Sequence, residues 1–402
     1  MKNNLKFLFL FLVATLIFSC KSTQVVSTTS KKTTDDIKVP EKFALGADNF
    51  EGYECLLKDK KVGIVTNQTG ILSDGTNLVD FLLSKNINIQ KIYAPEHGFR
   101  GTADAGELIL DGKDTKTGLP IISLYGDNKK PKDEQLAGID VIIFDIQDVG
   151  VRFYTYISTL TYVMEACAKN NIELVVFDRP NPNGTIVDGP ILEVEFSSFV
   201  GMHPIPVLHG MTIGEYANMV NGEKWLVNNE RCKLNIVTCT GYNRQMSYSL
   251  PVKPSPNLPN DQSVNLYASL CFFEGTNVSV GRGTDLQFQI YGSPFLPNNG
   301  FSFIPKPNLG AKDPLYNGNE CYGVDLSSIP KVKSLELKWL IDAYNSMSDK
   351  SKFFNSFFTK LAGTKSLQKQ IEIGMPEEEI KETWQINLNE FKKIRSKYLI
   401  YN

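Results

Sequence analysis

Between residues 60 and 240 short β-branched apolar runs alternate with stretches of helical periodicity. Lys61-Val-Gly-Ile-Val-Thr66 reads as a buried strand entering Asn67-Gln-Thr-Gly70, with a helix from Asn77 to Leu83 behind it. Ile87–Tyr93 and Leu119–Tyr125 are the second and third strands. Ile139–Ile146 is the fourth, and a helix from about Tyr156 to Lys169 carries the chain to the fifth, Ile172–Asp178. Short strands that are apolar throughout, each returning through a helix, predict a parallel sheet covered on both faces. The fold class is α/β: a Rossmann-like doubly wound, mostly parallel sheet.

The same pattern continues with Pro204–His209, a helix from Ile213 to about Leu226 and a strand at Leu234–Thr238. Thr212 and Glu215 fit a capping box at the start of that helix. Four prolines within Leu250–Pro259 force an extended chain and mark a boundary. The expected organisation is a Rossmann-like catalytic domain over 43–258 and a smaller α+β domain over 259–402 that closes the cleft. In the latter, Leu266–Phe273 fits helix or strand, a strand lies near Tyr322–Leu326, and helices cover about Leu335–Ser346 and the residues after Met375.

The N-terminus follows another rule. Lys2 and Lys6 precede the apolar run Phe7–Phe18, and Ile17-Phe-Ser-Cys20 resembles a bacterial lipobox. Residues 1–19 are read as a lipoprotein signal peptide, Cys20 as the lipid attachment site and 20–42 as a disordered tether. This predicts a protein of the bacterial cell envelope, membrane-anchored through lipidated Cys20. The 42 Lys and Arg against 44 Asp and Glu supply no basic field, so nucleic acid is not an expected partner. No G-x-G-x-x-G follows the first strand, which argues against a nucleotide, and no cofactor is expected. Cys55, Cys167, Cys232, Cys239, Cys271 and Cys321 form no C-x-x-C pair and are read as structural thiols. No helical H-x-x-x-H spacing supports a metal site from Glu96, His97 and His209.

Polar residues gather where strands end. Glu96, His97 and Arg100 follow the second strand, and Asp145, Gln147, Asp148 and Arg152 follow the fourth. Asp178, Arg179 and Asn181 follow the fifth, and His209 ends the next segment. Ligands of open α/β sheets bind outside the carboxyl ends of the strands, so these residues mark a crevice. Each also has a structural reading: Asp145 and Asp178 as turn or cap residues, Arg152 as a partner of Asp148. Carboxylates with little net charge, among Tyr and Asn, suit a neutral or weakly acidic ligand such as a sugar. A pair of them would suit glycosidic cleavage.

Tyr93–Gly101, Phe144–Tyr156, Asp178–Pro182, His209–Thr212, Pro254–Pro259, Phe273–Asn277 and Gly281-Arg-Gly283 together resemble the bacterial exo-β-N-acetylmuramidase (NamZ) family, from about residue 45 onward. The resemblance implies a Rossmann-like domain plus a smaller C-terminal one, with the site between them. It implies release of terminal N-acetylmuramic acid from the non-reducing ends of peptidoglycan fragments. Glu96, in the Pro-Glu-His-Gly motif, becomes the expected general acid, and Asp148 the second carboxylate, with Asp145 and Glu274 as alternatives. Arg282, Arg100 or Arg152 would hold the lactyl carboxylate. His97, Gln147, Tyr154, Tyr156, Asp178, Asn181, His209 and Asn277 complete the expected sugar site. Other outcomes of such a cleft are a non-catalytic muropeptide-binding lipoprotein and an amidase or deacetylase.

Overall fold

A computed structural model describes residues 42–96, 98–100 and 111–402. The signal peptide, Cys20, all but the end of the tether, and His97 lie outside the described residues. Seven strands form one sheet in the order β3-β4-β2-β1-β5-β6-β7. They are β1 (Val62–Thr66), β2 (Ile89–Ala94), β3 (Gly112–Lys113), β4 (Pro120–Ser123), β5 (Val141–Asp145), β6 (Glu173–Phe177) and β7 (Lys233–Val237). Every pairing is parallel except that of the short edge strand β3 with β4. The expected α/β layer is therefore present. Because β1 lies between β2 and β5, the chain reverses direction across the sheet there, and the crevice belongs at their carboxyl ends.

Alternation along the strands sorts side chains between two cores. Val62, Ile64, Val141, Ile143, Val175 and Phe177 pack with α1 (Phe50–Leu57) and α2 (Leu78–Ser84). Val65, Ile142, Phe144, Leu174 and Val176 face the other way, toward α3 (Asp133–Leu136), α4 (Tyr156–Asn170) and α5 (Ile213–Gly222). Burying each such side chain contributes roughly 1.5–3 kcal/mol, which fixes the register of the layer. The capping box is formed: Thr212 Oγ1 accepts from the Glu215 N–H at 3.2 Å, and Glu215 Oε2 accepts from the Thr212 N–H at 2.9 Å.

Pro204–His209 adds no strand to the sheet; Leu208 makes only isolated bridges to Val151 and Asp188. Two prolines in that segment remove the N–H groups a ladder needs. The parallel neighbour of β6 is β7 instead. After the proline-rich segment comes α6 (Asp261–Leu270), whose Asn260 cap accepts from the Ser263 N–H at 3.0 Å, so the ambiguous apolar run is helical. Strands β8 (Ile290–Ser293), β9 (Ser302–Phe303) and β10 (Cys321–Asp325) form an antiparallel sheet in the order β8-β10-β9. Helices α7 (Lys338–Ser346), α8 (Phe358–Ala362), α9 (Ser366–Glu372), α10 (Glu377–Thr383) and α11 (Gln385–Arg395) follow. The larger apolar cluster continues without a break from Val65 of β1 to Phe391 of α11.

Candidate active site

A pocket of about 160 Å³ brings the two parts of the chain together. Glu96 and Phe153–Tyr156 reach it from the ends of β2 and β5, Ser255, Asn257 and Leu258 from the proline-rich segment, and Tyr267, Glu274, Arg282 and Phe288 from the smaller domain.

Glu96 stands two residues past β2, in a turn where the Gly98 N–H donates to the Pro95 carbonyl at 3.0 Å. Its Oε1 accepts from the Tyr125 hydroxyl at 3.1 Å and its Oε2 from Thr155 Oγ1 at 3.4 Å. Tyr154 and Tyr156 pack edge to face with centroids 5.0 Å apart. The Tyr154 hydroxyl donates to the Pro254 carbonyl at 2.8 Å, and the Tyr156 hydroxyl accepts from Asn67 Nδ2 at 2.8 Å. Both phenols are thus anchored. Burial raises the Tyr156 phenol well above its ordinary value and the Glu96 charge adds to this, so it stays protonated.

On the smaller domain, Arg282 Nε and Nη2 each lie 2.7 Å from Glu274 Oε1. Burial opposes the Arg282 charge, but the Glu274 carboxylate outweighs it and holds the guanidinium above its ordinary value. Glycines on either side, Gly281 at φ 75° and Gly283 at φ 83°, adopt the left-handed conformation. A Cβ at Gly281 would meet Ile290 at 2.6 Å, and one at Gly283 would meet Pro314 at 2.7 Å, so the turn that presents Arg282 requires both. Phe288 lies with its ring centroid 5.2 Å from the guanidinium and is itself left-handed at φ 52°. A bulky residue held that way costs on the order of 1–3 kcal/mol, and here its ring supports the cation.

The other strand-end residues fold inward and stay out of the pocket walls. Arg152 is fully buried; its Nη1 donates to the Pro190 and Ile205 carbonyls and its Nη2 to those of Leu361 and Ala362, at 2.8–2.9 Å. That arginine clamps the chain after β6 to the end of α8. Arg179 forks Asp145 at 2.6 and 2.8 Å. Asp178 accepts from Thr212 Oγ1, the Gly214 and Arg179 N–H groups and the Tyr401 hydroxyl. Gln147 donates to the Asp148 and Pro180 carbonyls, and Asn181 to that of Met211. Asp148 accepts from the Gly150 N–H at 2.7 Å, and burial pushes its carboxyl up to about 7. His209 lies 3.9 Å from it, driven down to about 3 by burial and by Arg395 and Arg152, so no ion pair forms near neutral pH. Arg100 forks Asp114 at 2.8–3.0 Å instead of lining the pocket, and Asn277 offers its carbonyl to the Tyr316 hydroxyl at 2.7 Å.

Of the residues expected at the site, the structure brings together Glu96, Tyr154, Tyr156, Glu274 and Arg282. Tyr125, which bonds Glu96, and Thr155, Asn257 and Tyr267, which line the pocket, are not among the residues expected from the sequence. Thr155 lies inside the quoted Phe144–Tyr156 motif and Asn257 inside Pro254–Pro259, while Tyr125 ends the third apolar run. Tyr267 lies within an apolar helical pattern and carries no local signal.

A family model for the N-terminal part of the exo-β-N-acetylmuramidase NamZ matches residues 62–262, and one for its C-terminal part matches 265–401. The chain belongs to the NamZ family. It is 38% identical over 419 residues to the peptidoglycan β-N-acetylmuramidase NamZ of Bacillus subtilis (strain 168), covering 98% of this chain and 100% of that protein. Among solved structures it resembles two DUF1343 family proteins of Bacteroides fragilis NCTC 9343. One, determined at 1.30 Å, has a TM-score of 0.84 and 43% identity; the other, at 1.65 Å, has 0.78 and 28%. Each comparison covers 90% of this chain and 99% of the other.

Proposed function

We propose that this protein is an exo-acting glycoside hydrolase that releases terminal N-acetylmuramic acid from the non-reducing ends of peptidoglycan fragments. The observation that carries the reading is a single pocket, in a chain of this family, that holds Glu96 together with the ion-paired Glu274 and Arg282. Glu96 gives its proton to the glycosidic oxygen as the C–O bond breaks and the bonding electrons pass to that oxygen. Glu274 stabilises the positive charge that develops at the anomeric carbon; water supplies the new hydroxyl, and its other proton passes back to the carboxylates and so restores the acid. Glu274 lines the pocket and Asp148 does not, so Glu274 is the better second carboxylate. The aromatic walls take the apolar face of the sugar ring.

Arg282 is the arginine placed to read the lactyl carboxylate, because Arg152 and Arg100 are committed elsewhere. Its bonds to Glu274 use Nε and Nη2, and no described residue takes a hydrogen bond from Nη1. We also propose that the protein is anchored in the cell envelope through lipidated Cys20. The charged start, short apolar run and Cys20 support this, as does a cell-wall substrate. Metabolic labelling with palmitate, lost in Cys20→Ala, tests the anchor.

Chromatography of the products from muramic-acid-terminated fragments tests the activity. Free N-acetylmuramic acid is the expected product. Acetate or free peptide would replace the reading with a deacetylase or amidase, and tight binding without product would leave a binding lipoprotein.

A further inference from the structure

Thr155 occupies the N-cap of α4, a fifteen-residue helix, yet its side chain makes no capping hydrogen bond. A threonine there ordinarily satisfies one of the open N–H groups of the first turn, an interaction worth about 1 kcal/mol. Its hydroxyl instead turns to Glu96 Oε2. Tyr125, beyond β4 and 29 residues from Glu96, brings its phenol to the other oxygen, Oε1. The two oxygens of one carboxyl are thus approached by hydroxyls from two separate elements, with the N-terminus of α4 beside them.

We propose that Tyr125 and Thr155 are positioning residues for Glu96, a role that rests on the hydrolase reading above. A carboxyl chain has free rotation about its last bond, and a proton donor must aim one oxygen at the leaving group. Two hydroxyls, one per oxygen, fix that plane. They also act differently on the two ends of the step. Once Glu96 has given up its proton, both hydroxyls donate to the carboxylate, and the positive end of the α4 dipole favours the same charge. The bracket therefore stabilises the product of proton transfer more than the acid that precedes it. Proton transfer becomes easier without any contact to the sugar.

The test is steady-state kinetics of Tyr125→Phe and Thr155→Val on an aryl β-N-acetylmuramide across the neutral pH range. Thr155→Ser serves as the conservative variant and thermal melting as the check of folding. Glu274, Arg282, Tyr154, Tyr156 and Tyr267, the other titratable groups of the pocket, stay in place in each variant. Tyr125→Phe is expected to lower kcat about tenfold, the scale of a lost hydrogen bond to a charged group, with KM nearly unchanged. The alkaline limb of its kcat profile should move to higher pH, because a carboxylate that loses a donor holds its proton more tightly. Thr155→Val should act in the same direction less strongly, and Thr155→Ser should restore the original profile. A well-folded Tyr125→Phe with unaltered kcat and limb would overturn the inference alone, as would a loss confined to KM, which would make Tyr125 a substrate contact. If the unaltered protein turned over no muramide, the hydrolase reading would fall and take this role with it.

Discussion

The cluster around Asp145, Arg152, Asp178 and His209 holds more charge than the pocket around Glu96, and both lie where strands of the same sheet end. They differ in what their polar atoms have left to give. In the sealed cluster Arg179 is spent on Asp145, Arg152 on four carbonyls and Asp178 on four donors. Asp148 Oδ1, His209 Nε2 and Arg152 Nε are buried with no hydrogen-bond partner among the described residues, and burial shifts Asp148 and His209 toward their neutral forms. In the pocket, by contrast, hydroxyls converge on one carboxylate and an arginine keeps an edge for a ligand. Charge concentrated at strand ends therefore reports on assembly; hydrogen-bonding capacity left toward a cavity reports on chemistry.

The sharpest way to break that contrast is Glu96→Gln. Turnover of an aryl N-acetylmuramide should fall by about a thousandfold, within the range for loss of a general acid, at an unchanged melting temperature. Activity close to that of the unaltered protein would move the chemistry elsewhere. Arg152→Met should do the opposite. It takes the guanidinium donor away from four buried carbonyls, of which that of Ile205 keeps the Leu192 N–H; this costs about 3 kcal/mol or more in denaturant unfolding, while kcat of the folded fraction is retained. A stable but inactive variant would place Arg152 in the site after all.

Arg282→Lys sharpens the account of specificity. The charge remains but the planar fork is lost, so KM for the muramide should rise about tenfold and the preference over the matching glucosaminide should shrink. The smallest effect is expected from Asp148→Asn, read by melting across pH. Asp148 is raised from 3.8 to about 7, so the folded state keeps a proton that the unfolded chain releases. Its contribution is full below the unfolded value and is lost as pH rises through about 7. The Asn variant should lose less stability than the parent between mildly acidic and mildly alkaline buffer. His209, lowered to about 3, has the reverse sign: stability is lost as pH falls from about 6.5 toward its folded value.

The sheet was legible because each strand carries its burial in its own residues: the runs at 62–66, 141–145 and 173–177 have no polar face to misplace. Glu96 was legible as a pocket residue because a strand, a proline and two nearby glycines announce a turn at the carboxyl end of an interior strand. Asp148 and Arg152 mislead because position at a strand end does not say which way a side chain turns. For Arg152 the deciding partners are Leu361 and Ala362, more than two hundred residues away. Tyr267 and Phe288 were illegible for the same reason: they line the pocket only because the smaller domain folds back onto the proline-rich segment. Gly281-Arg-Gly283 is the intermediate case, a local motif whose purpose emerges only with Glu274 beside it.

The uninterrupted apolar core from β1 to α11 has a consequence for how a substrate gets in. Swinging the two halves apart would strip oil-like surface into water, so among the described residues the hollow is moulded in advance. On the hydrolase proposal, a hollow of monosaccharide scale suits what arrives tip first: the loose end of a glycan, nibbled one residue at a time.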